Sequence, residues 1–453
     1  MNISLNLGMK SSLKYLLPVG MIAAFLTGCG MTTSTSVTSP VTVGAATKVS
    51  GIVMGGQQPV GGVSIQMYTV GTSGYGSAAT PLGASFSTTS AGNFTLPAFT
   101  CPTPGALTFL VGTGGQPIAA TQTTAAVTNP NLALMVGLGA CSTVGSSYIN
   151  VNELTTVATI WSLSPFMTGL TSIGAPSTNA TGIKNAFAAI NKVVNTTNGL
   201  ISGPALPSNA TLPIAEINTL ADILEQCVNS GGGSASDSTD GQTTGTPCGK
   251  LFYLTGAPTN TIAAALYIAK NPALNVAKLN MLRSTSPVFQ PVLSVNTPPS
   301  DWTIAISYSG GGLSTPQGVA TDLNGNVWVA NSGNSSVSEF SSTGAAISGT
   351  TGFTAGGISV PYALALDQSG NVWVANSGNN TVTKLAATGA TGTSYSGNGL
   401  STPKGIAIDG LGNVFVSNSG ASTFSGFTSA GAALPSSPFT GPSAAIGIAV
   451  SPH

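Results

Sequence analysis

The sequence predicts a multidomain, mainly β chain. It would hold an N-terminal β-sandwich, a central α-helical domain and a C-terminal incomplete β-propeller of about three to four blades. Three observations carry this. Residues 48–147 alternate apolar and polar in strand fashion, residues 148–297 shift to helical spacing, and one phrase recurs after residue 298. A phrase repeated at this length marks a unit that cannot bury its apolar face alone and must stack on its copies.

The 453 residues leave room for about three domains at roughly 150 each. Charged residues make up 5% and the formal net charge is zero, against about 25% charged in ordinary soluble proteins. No Lys/Arg cluster supplies the electrostatic footprint of a nucleic-acid binder, so no such partner is expected. The 42% hydrophobic content is enough to fill cores and argues against charge-driven disorder.

The N-terminus reads as a secretion address over residues 1–29. Lys10 and Lys14 supply a positive start, and Tyr15 to Leu26 is an apolar run, too short for a span of about 20 residues. Leu26-Thr27-Gly28-Cys29 resembles the lipobox of bacterial lipoproteins. That resemblance implies a lipidated Cys29, with the membrane as partner through the anchor; an ordinary secretory signal with a chance Cys is the alternative. Gly30 follows rather than Asp, which in the enterobacterial sorting pattern implies the outer membrane or cell surface. Several acyl chains together anchor where one would not. Residues 30–47 read as an uncharged Thr/Ser/Val linker.

Five cysteines leave an odd one, and Cys29 accounts for it. Cys101, Cys141, Cys227 and Cys248 remain, and in an oxidising envelope they suggest two disulfide bonds. Local pairing, Cys101 with Cys141 and Cys227 with Cys248, would place one in each of two domains. A zinc site is the rival, but no CxxC spacing exists; no metal and no cofactor are expected.

Residues 48–147 carry Val49-Ser50-Gly51-Ile52-Val53, then Gly61 to Tyr68 after a turn at Pro59, then Thr88 to Leu96 as strand, turn and strand. Apolar residues at every second position with Gly/Asn turns indicate a sandwich. The order of these three phrases resembles the carboxypeptidase regulatory-like domain, a small transthyretin-like sandwich. In that family the module is a non-catalytic spacer or adhesion element. Ser90-Ala91 stands where the family usually has an acid.

Helical signals follow in residues 148–297. Asn152 is placed to cap a helix from Glu153 to Leu163, with Pro165 as its stop. Ile183, Phe187, Ile190 and Val194 recur at helical spacing, as do Ile214, Ile217, Leu220, Leu224 and Cys227. Two more helices are predicted over 261–270, capped by Asn260, and over 276–282. The loop from Ser230 to Pro247 is flanked by Cys227 and Cys248.

The repeats occupy residues 298–453. Gly325 to Asn334 (Gly-Asn-Val-Trp-Val-Ala-Asn-Ser-Gly-Asn) returns at Gly370 to Asn379, and at Gly412 to Gly420 with Phe415 in the Trp slot. The preceding strands begin at Pro316, Pro361 and Pro403, a period that fits one four-stranded blade. A fourth copy begins at Ala445 to Val450. Since a closed ring takes about four to eight blades, the ring is expected to be truncated, open or closed by another chain. These phrases resemble NHL-type and virginiamycin B lyase-like propellers. The lyase resemblance implies a catalytic His and Glu with a divalent metal. The chain's single His is His453, and the repeats hold one Glu, Glu339, so no catalytic residue is assigned.

Within the repeats, Asp322, Asp367 and Asp409 either bind Ca²⁺ in a ring or accept hydrogen bonds from their own turns; one per repeat in the same slot favours the turns. Trp328, Trp373 and Phe415 either stack on sugars or pack in the core, and their Val neighbours favour the core. Asn331, Asn376 and Asn418 end the second strands and either hydrogen-bond a ligand at one face or form the turn with the Ser-Gly that follows, which is favoured; they are the candidate ligand-binding residues. The function expected is a non-catalytic cell-envelope lipoprotein that binds a glycan or protein ligand through its propeller and sandwich. The alternatives are a polysaccharide- or peptide-acting lyase or hydrolase, for which Asp301, Asp322 and Glu339 are the local carboxylates, and a subunit that completes its propeller with a partner chain.

Overall fold

The computed structural model describes residues 49–117, 126–145 and 147–450. The signal segment with Cys29, the 30–47 linker and His453 lie outside the described residues. The chain is mainly β, with several sheets and a set of helices.

Two sheets form the N-terminal part. The strands are β1 (Ser50–Gly55), β2 (Ser64–Thr69), β3 (Asn93–Thr95), β4 (Leu107–Thr113), β5 (Ala133–Ala140) and β6 (Tyr148–Val151). In one sheet β1 pairs antiparallel with β3 and parallel with β6. In the other β2 pairs with β4 and β4 with β5, all antiparallel. Alternation buries Val53, Ile65, Met67, Leu110, Leu134, Val136 and Ile149 between the sheets. The turn ahead of β3 needs Gly92, whose φ of 71° lies in the left-handed region.

The opposite side chains of β4 and β5 are also apolar, and the helices explain why. Phe109, Val111, Ala133 and Met135 share a core with residues from α1 (Glu153–Leu163), α2 (Ala180–Val193), α3 (Ile214–Val228), α4 (Pro247–Leu254) and α5 (Thr261–Lys270). The β4–β5 sheet is therefore buried on both faces. Gly137 makes room for α2: a Cβ there would lie 2.3 Å from Ile190 Cδ1. The hydroxyls of Thr156 and Thr159 on α1 accept hydrogen bonds from the β5 amides of Met135 and Gly137.

This corrects the expectation of a separate helical domain beginning at 148. β6 lies across that boundary and joins the sheet of β1, and the helices pack as a layer on β4 and β5. The physical cause is that neither the helices nor β4–β5 could cover their second apolar faces alone. Asn152 caps α1 as the sequence predicts, accepting from the Thr155 amide at 2.9 Å. Asn260 does the same for α5 through the Ala263 amide.

Cys101 and Cys141 lie at disulfide distance, as do Cys227 and Cys248. The second bridge joins the end of α3 to the start of α4 across 21 residues; closing a loop of that size stabilises by about 3 kcal/mol in the chain-entropy account.

Three antiparallel sheets follow, one per repeat. The first holds β7 (Pro316–Thr321), β8 (Val327–Asn331) and β9 (Ser336–Phe340). The second holds β10 (Pro361–Leu366), β11 (Val372–Asn376), β12 (Thr381–Leu385) and β13 (Gly392–Ser396). The third holds β14 (Pro403–Ile408), β15 (Val414–Asn418), β16 (Thr423–Phe427) and β17 (Phe439–Thr440). Register is the same in each, down to an irregularity after Pro316, Pro361 and Pro403. The sheets stack through shared apolar clusters. Trp328, Ala330 and Val337 of the first meet Leu364, Val372, Val374 and Leu385 of the second. Trp373, Ala375 and Val382 of the second meet Ile406, Val414, Val416 and Phe427 of the third.

Candidate functional site

The polar residues that recur in each repeat are used inside it. Asp322 Oδ1 accepts from the amides of Asn324 and Asn326, and Oδ2 from Asn326 Nδ2 at 2.9 Å. Asp367 and Asp409 repeat this pattern. Each aspartate therefore builds its own hairpin turn. Burial raises the Asp367 carboxyl, but hydrogen bonds from Asn371 and Trp373 and the nearby Lys384 ammonium outweigh it, and the net shift is downward. Asp409 is also held below its ordinary value, its turn hydrogen bonds outweighing desolvation.

Asn331, Asn376 and Asn418 are buried, with no exposed surface. Each Oδ1 accepts from the loop before the first strand: the amides of Ser314, Ser359 and Ser401, at 3.2, 3.3 and 3.1 Å. Each Nδ2 donates to two hydroxyls of the third strand: Ser336 and Ser338, Thr381 and Thr383, Thr423 and Ser425. Of the two readings of these amides the geometry supports the structural one, because their donors and acceptors are engaged within each repeat. Asn376→Ala would leave the Ser359 amide without its buried acceptor and is expected to cost about 2 kcal/mol, read as a lower urea midpoint.

Trp328 and Trp373 are buried in the inter-repeat clusters, and Phe415 is half-buried. The residue paired across from each aromatic differs: Glu339, Lys384 and Gly426. Lys384 lies 5.0 Å above the Trp373 ring and 3.6 Å from Asp367, and Trp373 Nε1 donates to Asp367 at 3.2 Å. In the first repeat Asn326 Nδ2 bridges Asp322 and Glu339, at 2.9 and 3.2 Å. Burial, then the Asp322 charge, pushes Glu339 up. The structure thus brings Asp322 and Glu339 together. Asp301 sits apart, where its charge adds to the burial that pushes Glu216 up to about 7. No group of three or more metal-ligating side chains occurs among the described residues.

A second carboxyl cluster escaped the sequence reading. Glu153 at the start of α1 is fully buried, and both its oxygens accept from the Gly56 amide, at 3.1 and 3.0 Å. Burial pushes it up to about 8, with Glu225 and Asp222 of α3 adding to the effect. Asp222 is pushed up to about 6, again mainly by burial, while its Oδ1 accepts from the amides of Val288 and Phe289. The one sequence signal was an acid heading an otherwise uncharged, apolar helix.

An open concavity lies between the third sheet and residues 442–450. It measures about 390 Å³ and is lined by Phe415, Ser417 and Phe424 of the third sheet and by Pro442, Ile448 and Val450. Its lining is mostly apolar, with two hydroxyl residues, Ser417 and Thr423. Among the described residues no helix is long and apolar enough to cross a membrane.

No protein-family model matches the chain, and no curated protein matches it. Solved structures do. A streptogramin B lyase aligns with 32% of this chain and 47% of its own, at 20% identity and a TM-score of 0.26. A virginiamycin B lyase from Staphylococcus aureus aligns over 26% and 41%, at 19% identity and 0.23. The hydrazine synthase of Kuenenia stuttgartiensis aligns over 32% and 42%, at 16% identity and 0.27. These neighbours are β-propeller proteins. The chain spans less than half the length of each of them.

Proposed function

We propose that the chain is a non-catalytic, lipid-anchored envelope protein. It would act as a binding module, with its three repeat sheets as blades of an incomplete β-propeller and β1–β6 as a sandwich related to carboxypeptidase regulatory-like domains. The observation that carries this is the use made of the recurring polar residues. Asp and Asn of each repeat hold turns and loops, and Trp328 and Trp373 fill the faces between sheets, which leaves an apolar groove beside Phe415 as the open recognition surface. A site of that size suits a small ligand or one segment of a partner. The anchor would be Cys29, and the destination the outer membrane or cell surface.

Capture on immobilised envelope glycans and envelope proteins tests the binding role. Retention of one class, lost with Phe424→Asp in a folded chain, is the expected result. A stable chain that retains nothing would sink the reading. The anchor is tested separately: Cys29→Ala is expected to abolish labelled palmitate incorporation and release the chain from membranes.

A further inference from the structure

Each repeat interrupts its own ladder at one place. Pro316 pairs with Asn331 and Gly318 with Ala330, so β7 advances two residues while β8 advances one. The extra residue is Gln317. The same step passes over Tyr362 in β10 and Lys404 in β14. A bulge of this kind leaves its extra residue outside the ladder and re-aims its side chain. The residue before each Pro is strained as well. Thr315, Val360 and Thr402 have φ of 47°, 44° and 45°, a region that β-branched residues rarely enter. One costly backbone feature, written three times, thus presents three side chains at one register position. What it presents differs. Around the bulge the repeats keep Pro, a small residue, an aliphatic residue and Asp, whereas the bulge itself carries an amide, a phenol and an ammonium. A purely structural slot would repeat, as the Asp and Asn slots do.

The bulges lie side by side. A Cβ on Gly318 would come within 2.7 Å of Tyr362 O, and Lys404 Nζ stands 5.0 Å over the Tyr362 ring. A Cβ on Gly405 would come within 3.0 Å of Ile446 O, which sets Ile446, 61% exposed, beyond Lys404. Gln317 is exposed, with Nε2 donating to the Ser332 hydroxyl at 3.3 Å, and Tyr362 and Lys404 are half-buried. Charge is segregated along the same strands. Asp322, Asp367 and Asp409 stand just past their far ends. Among the described residues the one ion pair joins Lys384 to Asp367, so Lys404 presents an ammonium without a carboxylate.

We propose that Gln317, Tyr362 and Lys404 form a recognition track for a uronic-acid glycan. A sugar carboxylate would meet the Lys404 ammonium, ring C–H faces would lie against Tyr362 and Ile446, and a sugar hydroxyl would donate to the Gln317 amide oxygen. The track is an open surface, so an apolar chain would leave much of its area in water, whereas a charged, hydroxylated chain stays solvated on its outer side. None of the three residues lines the groove beside Phe415. The proposal rests on the reading of the chain as an envelope binding module and adds a second surface to it.

The probe is trigalacturonate, titrated calorimetrically against the full chain in mild detergent. Saturable binding is expected, weakened at least about tenfold, or about 1.4 kcal/mol, by Lys404→Met, which keeps the aliphatic stem and removes the charge. Gln317→Ala is the second variant. Its side chain is exposed, so its urea midpoint is expected to match the parent while its affinity falls about threefold. Absence of saturable binding to a folded chain overturns the proposal. So does equal binding of the methyl-esterified trimer, which would remove the carboxylate from recognition, or equal binding of hexaglutamate, which would assign the track to acidic peptides. Trigalacturonate binding that is lost with Phe424→Asp and kept with Lys404→Met would place the sugar in the groove and also overturns it. Failure here, with another envelope component still captured through Phe424, sinks the track and leaves the binding-module reading standing.

Discussion

Raising the pH from 5 to 8.5 is expected to destabilise the chain, and Glu153→Gln is expected to remove much of that loss. Below about pH 4 the Glu153 carboxyl is protonated in both folded and unfolded states, and burial carries no ionisation penalty. Between its ordinary value of 4.5 and its folded value of about 8, the unfolded chain ionises while the folded one stays protonated. Stability therefore falls across that window, by up to about 5 kcal/mol for this group alone if the whole shift is expressed. Glu216 and Asp222, raised to about 7 and about 6, add in the same direction and finish earlier. Asp367 and Asp409 act oppositely: held below their ordinary values, they lose their contribution only as the pH falls through the acid range. The optimum is thus expected near pH 4 to 5, lower than the usual range of about 5 to 8. Glu153→Gln keeps an oxygen for the Gly56 amide and cannot ionise. Urea titrations at both pH values check this, and a parent stability that is level or rises toward pH 8.5 would refute the placement of Glu153.

Trp373→Ala is expected to cost about 4 kcal/mol, within the range of large-to-small changes at buried aromatics. The ring is fully buried between the second and third sheets, stacks on Tyr395 at a centroid distance of 5.6 Å and donates to Asp367. Its removal opens a cavity and leaves Lys384 without its aromatic face. Phe415→Ala, in the equivalent slot but half-buried beside the concavity, is expected to cost about 1 kcal/mol, because only the part of its area buried on folding is lost. The contrast between the two urea midpoints is the test. Equal losses would mean that the third face is covered as fully as the second.

The repeats were the most legible part of the sequence because their signals are local. Asp-x-x-Gly-Asn writes a turn whose donors and acceptor lie within four residues, and Val-Trp-Val writes a strand buried on both sides. The cap at Asn152 was legible for the same reason. What the sequence hid depends on contacts between distant segments. The parallel pairing of Ser50–Val53 with Tyr148–Val151 joins strands almost a hundred residues apart. The double burial of Leu107–Thr113 and Ala133–Ala140 shows only once the helices cover the second face. The three asparagines at the strand ends carried two readings, because polarity at a sheet end fits a ligand contact or a local clasp; only the partners of Oδ1 and Nδ2 separate the two. Glu153 and Glu225 lie 72 positions apart (225 − 153), and no periodicity links residues of different helices.

The serial stacking of the three repeat sheets has a mechanical consequence. Each shared cluster links one sheet to its neighbour, so the array behaves as links in series. Among the described residues the second sheet shares a cluster on each face, whereas the first and the third share one inter-repeat cluster each. Tension drawn along the array would load those two clusters in turn. The clasped asparagine of each repeat would be its last polar catch to release.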